Sequence, residues 1–296
     1  MKSLVLGASG YLGRHLAAAL RADGHDVVAY ASPRAAAGPR LDIGDRPGVD
    51  ALDWNVDVVF LMAGATGTTA SFTDFERFVR GNQIGVLNVL ESLRRSERRP
   101  RVVFPSTRLV YAGSDRPLAE TAPLRPRTVY AASKIGGEHY LQAYADAFGV
   151  PYTVFRIGVP YGNAQGERYA YGTVGNFIQQ AVDTGCIRLY GNGSLRRSFT
   201  HVEDLCRAIV CGCTREDFAN EVFNMPGEDL SLLEAAQLIA RRLDATIEFA
   251  PWPAFDRRVE SGSTVFDGRK LLSRLPDLLT HRMADWVDSI GPHHAR

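Results

Sequence analysis

The chain is short of lysine. Only Lys2, Lys134 and Lys270 occur in 296 residues, and every other fixed positive side chain is arginine. A lysine inside a patterned segment therefore calls for a chemical reason, because arginine is a planar fork that stays charged and seeks bidentate partners. Cysteine is scarce as well. Cys186, Cys206, Cys211 and Cys213 form no CxxC pair and have no nearby His at ligand spacing, which argues against a disulfide framework and reads as reduced, buried thiols. No metal site is expected. His293 and His294 sit in a Gly-Pro-broken tail and read as part of a frayed terminus. Apolar runs of about 18 residues are absent, so no membrane span is expected. Met1-Lys2-Ser3 leads straight into a strand without a signal-peptide pattern, which points to the cytoplasm. The formal net charge of +1 argues against nucleic acid as the main partner.

What is present alternates. Apolar strands over 2–6, 27–30, 57–64, 102–105 and 152–157, with a short one at Leu41-Asp42-Ile43, are separated by helical patterns over 14–22, 75–95 and 131–148. This order predicts an α/β fold with a doubly wound parallel Rossmann sheet. Beyond it the pattern becomes irregular: a loop over 162–175, a helix over 176–184, a strand over 187–190 and a turn at Gly191-Asn192-Gly193. An amphipathic helix follows over 231–243, with Ser231 as N-cap and Glu234 three residues on. A smaller, irregular C-terminal substrate domain is expected, drawn as 165–197 and 225–296. The Rossmann domain takes 1–164, with 198–224 returning to it.

Gly7-Ala8-Ser9-Gly10-Tyr11-Leu12-Gly13 stands between the first strand and the first helix. Glycines there allow a tight turn, close approach of a pyrophosphate to the backbone, and a helix N-terminus that receives the phosphates. Folds of this kind that select NAD usually end the second strand with a carboxylate for the ribose 2′-hydroxyl. Ala31-Ser32-Pro33-Arg34 stands there instead, so Ser32 and Arg34, with Arg40, fit the 2′-phosphate of NADP, and NAD stays the alternative. Asp42 and Ile43 are placed at the adenine, and Met62, Ala63 and Gly64 where small residues let the cofactor pass. Tyr130-Ala-Ala-Ser-Lys134 opens a helix with Tyr and Lys on one face. A phenol is a poor acid or base at neutral pH, and a neighbouring ammonium draws its pKa toward the working range. Thr107 adds a hydroxyl for the same substrate oxygen.

Gly7-x-x-Gly10-x-x-Gly13, Ser106-Thr107, Val110-Tyr111 and Tyr130-x-x-x-Lys134 together resemble the extended short-chain dehydrogenase/reductases, in particular the nucleotide-sugar epimerase/dehydratase/reductase group. Arg197-Ser-Phe-Thr-His-Val-Glu-Asp204 resembles that group's Arg-Asp-Phe-Val-His-Val-x-Asp segment. Arg257-Arg-Val-Glu260, with Asp267-Gly-Arg-Lys270 after it, is similar to its C-terminal motif pair. The resemblance implies that Tyr130 exchanges the proton, Lys134 binds the nicotinamide ribose, and Thr107 orients the substrate oxygen. It implies that Asn82 supports this site and that Arg197 and Arg257 hold the diphosphate of a nucleoside-diphosphate sugar. Ser106, Arg108, Asn176 and Tyr190 would complete the substrate contacts, and a homodimer through the Asn82 and Tyr130 helices is expected. Family dehydratases carry an acid pair directly after the catalytic Thr. Arg108 and Leu109 stand there, which argues against 4,6-dehydration. NADPH-dependent reduction of a 4-keto sugar nucleotide is the first reading and 4-epimerisation with tightly held NAD the second. A dinucleotide sensor without catalysis is the third, and it conflicts with the retained Tyr, Lys and Thr.

Overall fold

Apolar runs dictate the strands, and a computed structural model places them for residues 1–163 and 171–290. Part of the loop expected over 162–175, the expected domain boundary at 164/165, and His293 and His294 lie outside the described residues. The strands are β1 (Lys2–Leu6), β2 (Asp26–Tyr30), β3 (Val58–Leu61), β4 (Arg101–Thr107), β5 (Tyr152–Ile157), β6 (Val159–Tyr161), β7 (Cys186–Tyr190), β8 (Arg196–His201), β9 (Glu221–Asn224), β10 (Glu228–Ser231) and β11 (Thr246–Ala250).

One compact unit comprises Met1–Val110, Leu124–Arg156 and Cys206–Phe223. Its sheet runs β2-β1-β3-β4-β5-β9, with β1 parallel to β2 and β3, and β3 parallel to β4. Every residue of β3 and β5 is buried, the pattern that helices on both faces of a parallel sheet impose. Leu4, Leu6, Val59, Leu61, Val102, Phe104 and Val154 share one core with Val86, Val89, Leu90 and Leu93 of the helix Gly85–Arg95. Each such side chain contributes roughly 1.5–3 kcal/mol by leaving water.

Two local expectations change. Leu41-Asp42-Ile43 is not a strand, since pairing there stops at one isolated bridge between Ala31 and Arg40. The Asp42 carboxylate accepts from Gly44 N at 2.9 Å and bends the chain, and Asp45 then caps the short helix Arg46–Asp50 with Pro in its first turn. The expected helix over 75–95 is helical throughout but contains a π-turn at Arg80–Ile84, between Phe75–Val79 and Gly85–Arg95. That turn carries Asn82, and such turns recur at functional positions.

The helix Val129–Phe148 begins where Thr128 Oγ1 accepts from Ala131 N at 3.0 Å, a side-chain N-cap. It follows the expected 131–148 closely.

The second unit comprises Tyr111–Pro123, Ile157–Leu205 and Asn224–Arg296. Residues 111–123, 157–163, 198–205 and 224 thus group differently from the division drawn on sequence. Within it β8 pairs antiparallel with β10 and parallel with β6, and β7 pairs parallel with β11. Helices Gly172–Thr184 and Leu232–Leu243 pack in the same unit, the latter opened by a capping box between Ser231 and Glu234. Among the described residues, no helix is long and apolar enough to cross a membrane.

Candidate active site

The glycine loop is built by backbone contacts of its own unit. Gly7 and Ala8 donate to Tyr30 O at 2.8 and 2.9 Å, which ties the loop to the end of β2. Gly7 sits at φ +93°, and a Cβ on it would fall 2.5 Å from Ala63 N; on Gly13 it would fall 2.2 Å from Gly7 O. Gly10 is different. Its Cβ would meet only Gly7 O, at 3.4 Å, and Ser9 and Gly10 are exposed, so the protein itself does not require a glycine there. Gly10 is also the N-cap of the helix Tyr11–Ala22, with no side chain capping it and no acidic residue in the first turn. Open space over Gly10 and an uncapped helix start fit a pyrophosphate held by backbone N–H groups.

The other expected cofactor residues fall around this loop. Tyr11 is buried with its ring edge-on to His15, and Leu12 is half-buried. Ser32 N donates to Ser9 Oγ at 3.0 Å, which brings the turn after β2 beside the glycine loop. Ser32 and Arg34 are exposed, Arg40 reaches Ala36 O at 3.3 Å, and no carboxylate stands between Asp26 and Asp42. Asp42 pairs with Arg80 at 3.3 Å, and Ile43 is buried with its carbonyl accepting from Asn88 Nδ2. Met62 and Ala63 are half-buried after β3, and Gly64 is exposed.

The proton-transfer residues meet at the end of β4. Thr107 ends that strand, 7% exposed, and its Oγ1 accepts from Leu109 N at 3.3 Å. Lys134 is buried, its Nζ donating to Pro105 O at 2.8 Å and lying 4.4 Å above the Phe104 ring. Burial pulls its pKa down to about 8, while the Glu138 carboxylate pulls it upward. Tyr130, one turn earlier, is half-buried with its ring edge-on to Phe78 at 6.1 Å. Asn82, at the π-turn, accepts from Ala65 N at 2.8 Å and donates to Ala65 O at 3.0 Å and to Ser133 Oγ at 2.9 Å. A Cβ on Gly64 would fall 2.7 Å from Asn82 Oδ1 and 3.9 Å from Lys134 Nζ. The loop after β3, the π-turn and the Lys134 helix therefore converge.

Two expected substrate residues have partners within the protein. Ser106 is buried, and its hydroxyl donates to Glu138 Oε1 rather than facing a substrate, because neighbouring side chains on a strand point to opposite faces. Arg197 is 2% exposed and donates to Arg196 O at 2.9 Å, Gly262 O at 2.6 Å and Glu260 Oε1 at 2.8 Å. Its guanidinium is engaged in a buried ion pair with Glu260. Arg257, on the helix Ala254–Val259, and Asn176, on the helix Gly172–Thr184, are exposed. Arg108 is half-buried at the start of a 3-10 turn after Thr107. Tyr190 is half open to solvent and packs 5.5 Å from Trp252, and Gly191 N bonds Ala250 O.

Sequence reasoning missed Glu138, Arg156 and Trp252. The first two had a signal. Glu138 repeats the spacing Tyr130-x-x-x-Lys134 by one more turn, and Arg156 stands inside a strand that is otherwise apolar or neutral, where a charge needs a partner. His201, Glu203 and His281 also cluster, in the second unit. The two imidazoles stack 4.1 Å apart with planes 16° from parallel, so their in-plane lone pairs do not converge on one ion. His281 instead contacts the carboxylates of Asp204 at 2.8 Å and Glu203 at 3.2 Å.

A parallel sheet with this glycine loop after its first strand, and a Tyr-x-x-x-Lys helix beside the strand that ends in Thr107, defines an enzyme of the extended short-chain dehydrogenase/reductase class. The model of the NAD dependent epimerase/dehydratase family matches residues 3–225. The chain belongs to that family. It is 25% identical over 254 residues to a putative UDP-glucose 4-epimerase of Methanocaldococcus jannaschii, covering 81% of this chain and 82% of that one. CDP-paratose 2-epimerase of Salmonella typhi is 27% identical over 344 aligned positions, covering 98% of this chain and 100% of that one. Among solved structures, DesIV, a dTDP-glucose 4,6-dehydratase from Streptomyces venezuelae with NAD and TYD bound, superposes with a TM-score of 0.85 at 25% identity, covering 97% and 95% of the two chains.

Proposed function

We propose that this chain is an NAD(P)-dependent oxidoreductase acting on a nucleoside-diphosphate sugar, with Tyr130 taking the proton from a sugar hydroxyl or giving one to a sugar carbonyl oxygen. The observation that carries this reading is the buried Lys134 ammonium, bonded to Pro105 O two residues before Thr107 and one helical turn from Tyr130. A cation with little water around it favours a phenolate nearby far more than it would in solvent. Thr107 and Tyr130 then share the substrate oxygen, and donors aimed at that oxygen supply the largest part of the rate enhancement. The nicotinamide, when bound, supplies or accepts the hydride at the same carbon. Gly7, Ser9, Gly10, Tyr11, Leu12 and Gly13 would hold its pyrophosphate, and Arg257 with Tyr190 would face the sugar nucleotide.

Reduction of a 4-keto sugar nucleotide with NADPH is the outcome favoured by this chain's own residues. The turn after β2 offers Ser32 and Arg34 to a 2′-phosphate and no carboxylate to a 2′-hydroxyl. Epimerisation with retained NAD is the second reading. The epimerases among the relatives and the NAD bound in DesIV favour it. Arg108 and Leu109 in place of an acid pair weigh against dehydration in either case. A homodimer is part of the same proposal. The test is to supply purified protein with 4-keto sugar nucleotides and either reduced cofactor. Stoichiometric consumption of NADPH supports reduction, whereas co-purified NAD and interconversion of epimers without added cofactor support the second reading. No turnover of any nucleoside-diphosphate sugar under both regimes rejects the proposal.

A further inference from the structure

Glu138 lies one turn beyond Lys134 on the helix Val129–Phe148 and is 5% exposed. A carboxylate buried this deeply is strongly unfavourable unless it is paired. Arg156 Nε reaches both its oxygens, at 3.1 and 3.2 Å, and Arg156 Nη2 donates to Oε2 at 2.6 Å. The Ser106 hydroxyl donates to Oε1. These partners stand on neighbouring strands, Ser106 on β4 and Arg156 on β5.

Packing alone does not require this arrangement, because a buried ion pair seldom adds stability over apolar residues of similar volume. Its placement is informative. Lys134 holds the carbonyl of Pro105 while Glu138 holds the hydroxyl of Ser106, so the helix grips two successive residues directly before Thr107. Lys134 and Arg156 would also be two buried cations on one side of the sheet without Glu138. Its carboxylate is the charge whose field favours the Lys134 ammonium against burial.

We propose that Glu138 is a positioning residue of the Tyr130–Lys134 site: held by Arg156 and Ser106, its carboxylate supplies the counter-charge for the Lys134 ammonium and fixes the end of β4 behind Thr107. The inference rests on the proton-transfer reading given above. Removing the carboxylate shifts Lys134 toward the neutral amine at working pH, and Tyr130 loses its cationic neighbour.

The chain's few lysines make the test direct. With [ε-13C]lysine the protein gives signals from Lys2, Lys134 and Lys270 alone, and a Lys134→Arg variant assigns the one that matters. In the intact enzyme the Lys134 signal is expected to titrate near pH 8. In Glu138→Gln its midpoint should fall by about one pH unit, and the alkaline limb of kcat should fall with it while KM for the sugar stays put. That variant leaves Arg156 unpaired and risks misfolding. The double variant Glu138→Gln/Arg156→Leu removes both charges and should show a smaller fall in the same direction. A folded variant in which Lys134 titrates as in the wild type overturns the inference, even if activity drops evenly at all pH values. The lysine signal does not depend on turnover, so the two readings fail separately. An unshifted signal beside an inactive Tyr130→Phe variant rejects the role of Glu138 alone. A shifted signal beside a fully active Tyr130→Phe variant rejects the proton-transfer reading and leaves the charge coupling standing.

Discussion

Replacing Lys134 by methionine should make the protein more stable at neutral pH while abolishing its activity. Lys134 is buried, and its pKa in the folded chain falls from 10.5 to about 8 because burial disfavours the ammonium. The unfolded chain therefore binds more protons between about pH 8 and 10.5, so stability rises with pH across that window and the full penalty applies below it. That gap corresponds to roughly 3 kcal/mol at pH 7. Methionine keeps the apolar stem but forfeits the bond to Pro105 O and the contact over Phe104, together about 1–2 kcal/mol. A net gain of roughly 1–2 kcal/mol at pH 7 should remain for Lys134→Met. At pH 10 most of the penalty is already relieved in the wild type, and the gain should shrink by about 2 kcal/mol. Urea unfolding of both proteins at the two pH values, with unchanged m-values, measures this difference. An equal effect at both pH values, or a larger gain at pH 10, refutes a charged buried lysine.

Three further outcomes follow from the site. Tyr130→Phe should lower kcat by about 10²–10⁴-fold while cofactor binding, read by thermal shift, is retained. Asn82→Ala should destabilise by roughly 2–4 kcal/mol in urea unfolding, since it leaves both backbone groups of Ala65 and the Ser133 hydroxyl short of a partner. Arg34→Ala should weaken NADPH binding about 10- to 100-fold in calorimetric titration and leave NADH binding unchanged, whereas equal weakening of both would remove the 2′-phosphate assignment.

Much of this was legible in the chain, and the failures have physical reasons. The glycine loop could be placed because its spacing only makes sense between a strand and a helix, and Tyr130 and Lys134 because i and i+4 share a helix face. The sheet was legible because buried parallel strands are nearly continuous in apolar residues, as β3 is. Leu41-Asp42-Ile43 looked like a strand by composition. The competition was won by the Asp42 side chain bonding to Gly44 N, a local interaction that apolar periodicity does not register. Ser106 was grouped with Thr107 by adjacency, although a strand turns adjacent side chains apart. Arg197 matched a motif, but sequence alone could not reveal that Glu260 and the Gly262 carbonyl, more than sixty residues on, meet it. Glu138 and Arg156 belong to the same class, since partner choice across elements is settled only in three dimensions.

The most direct test of the chemistry follows one labelled hydrogen. Reduced cofactor carrying deuterium at the transferable position of its nicotinamide would be incubated with the enzyme and a 4-keto sugar nucleotide, and the sugar recovered after a single turnover would be weighed by mass spectrometry. Deuterium should appear at the reduced sugar carbon with the wild type, and more slowly with Tyr130→Phe. Bound sugar nucleotide and bound cofactor with no transfer of label to the sugar would contradict redox chemistry at this site.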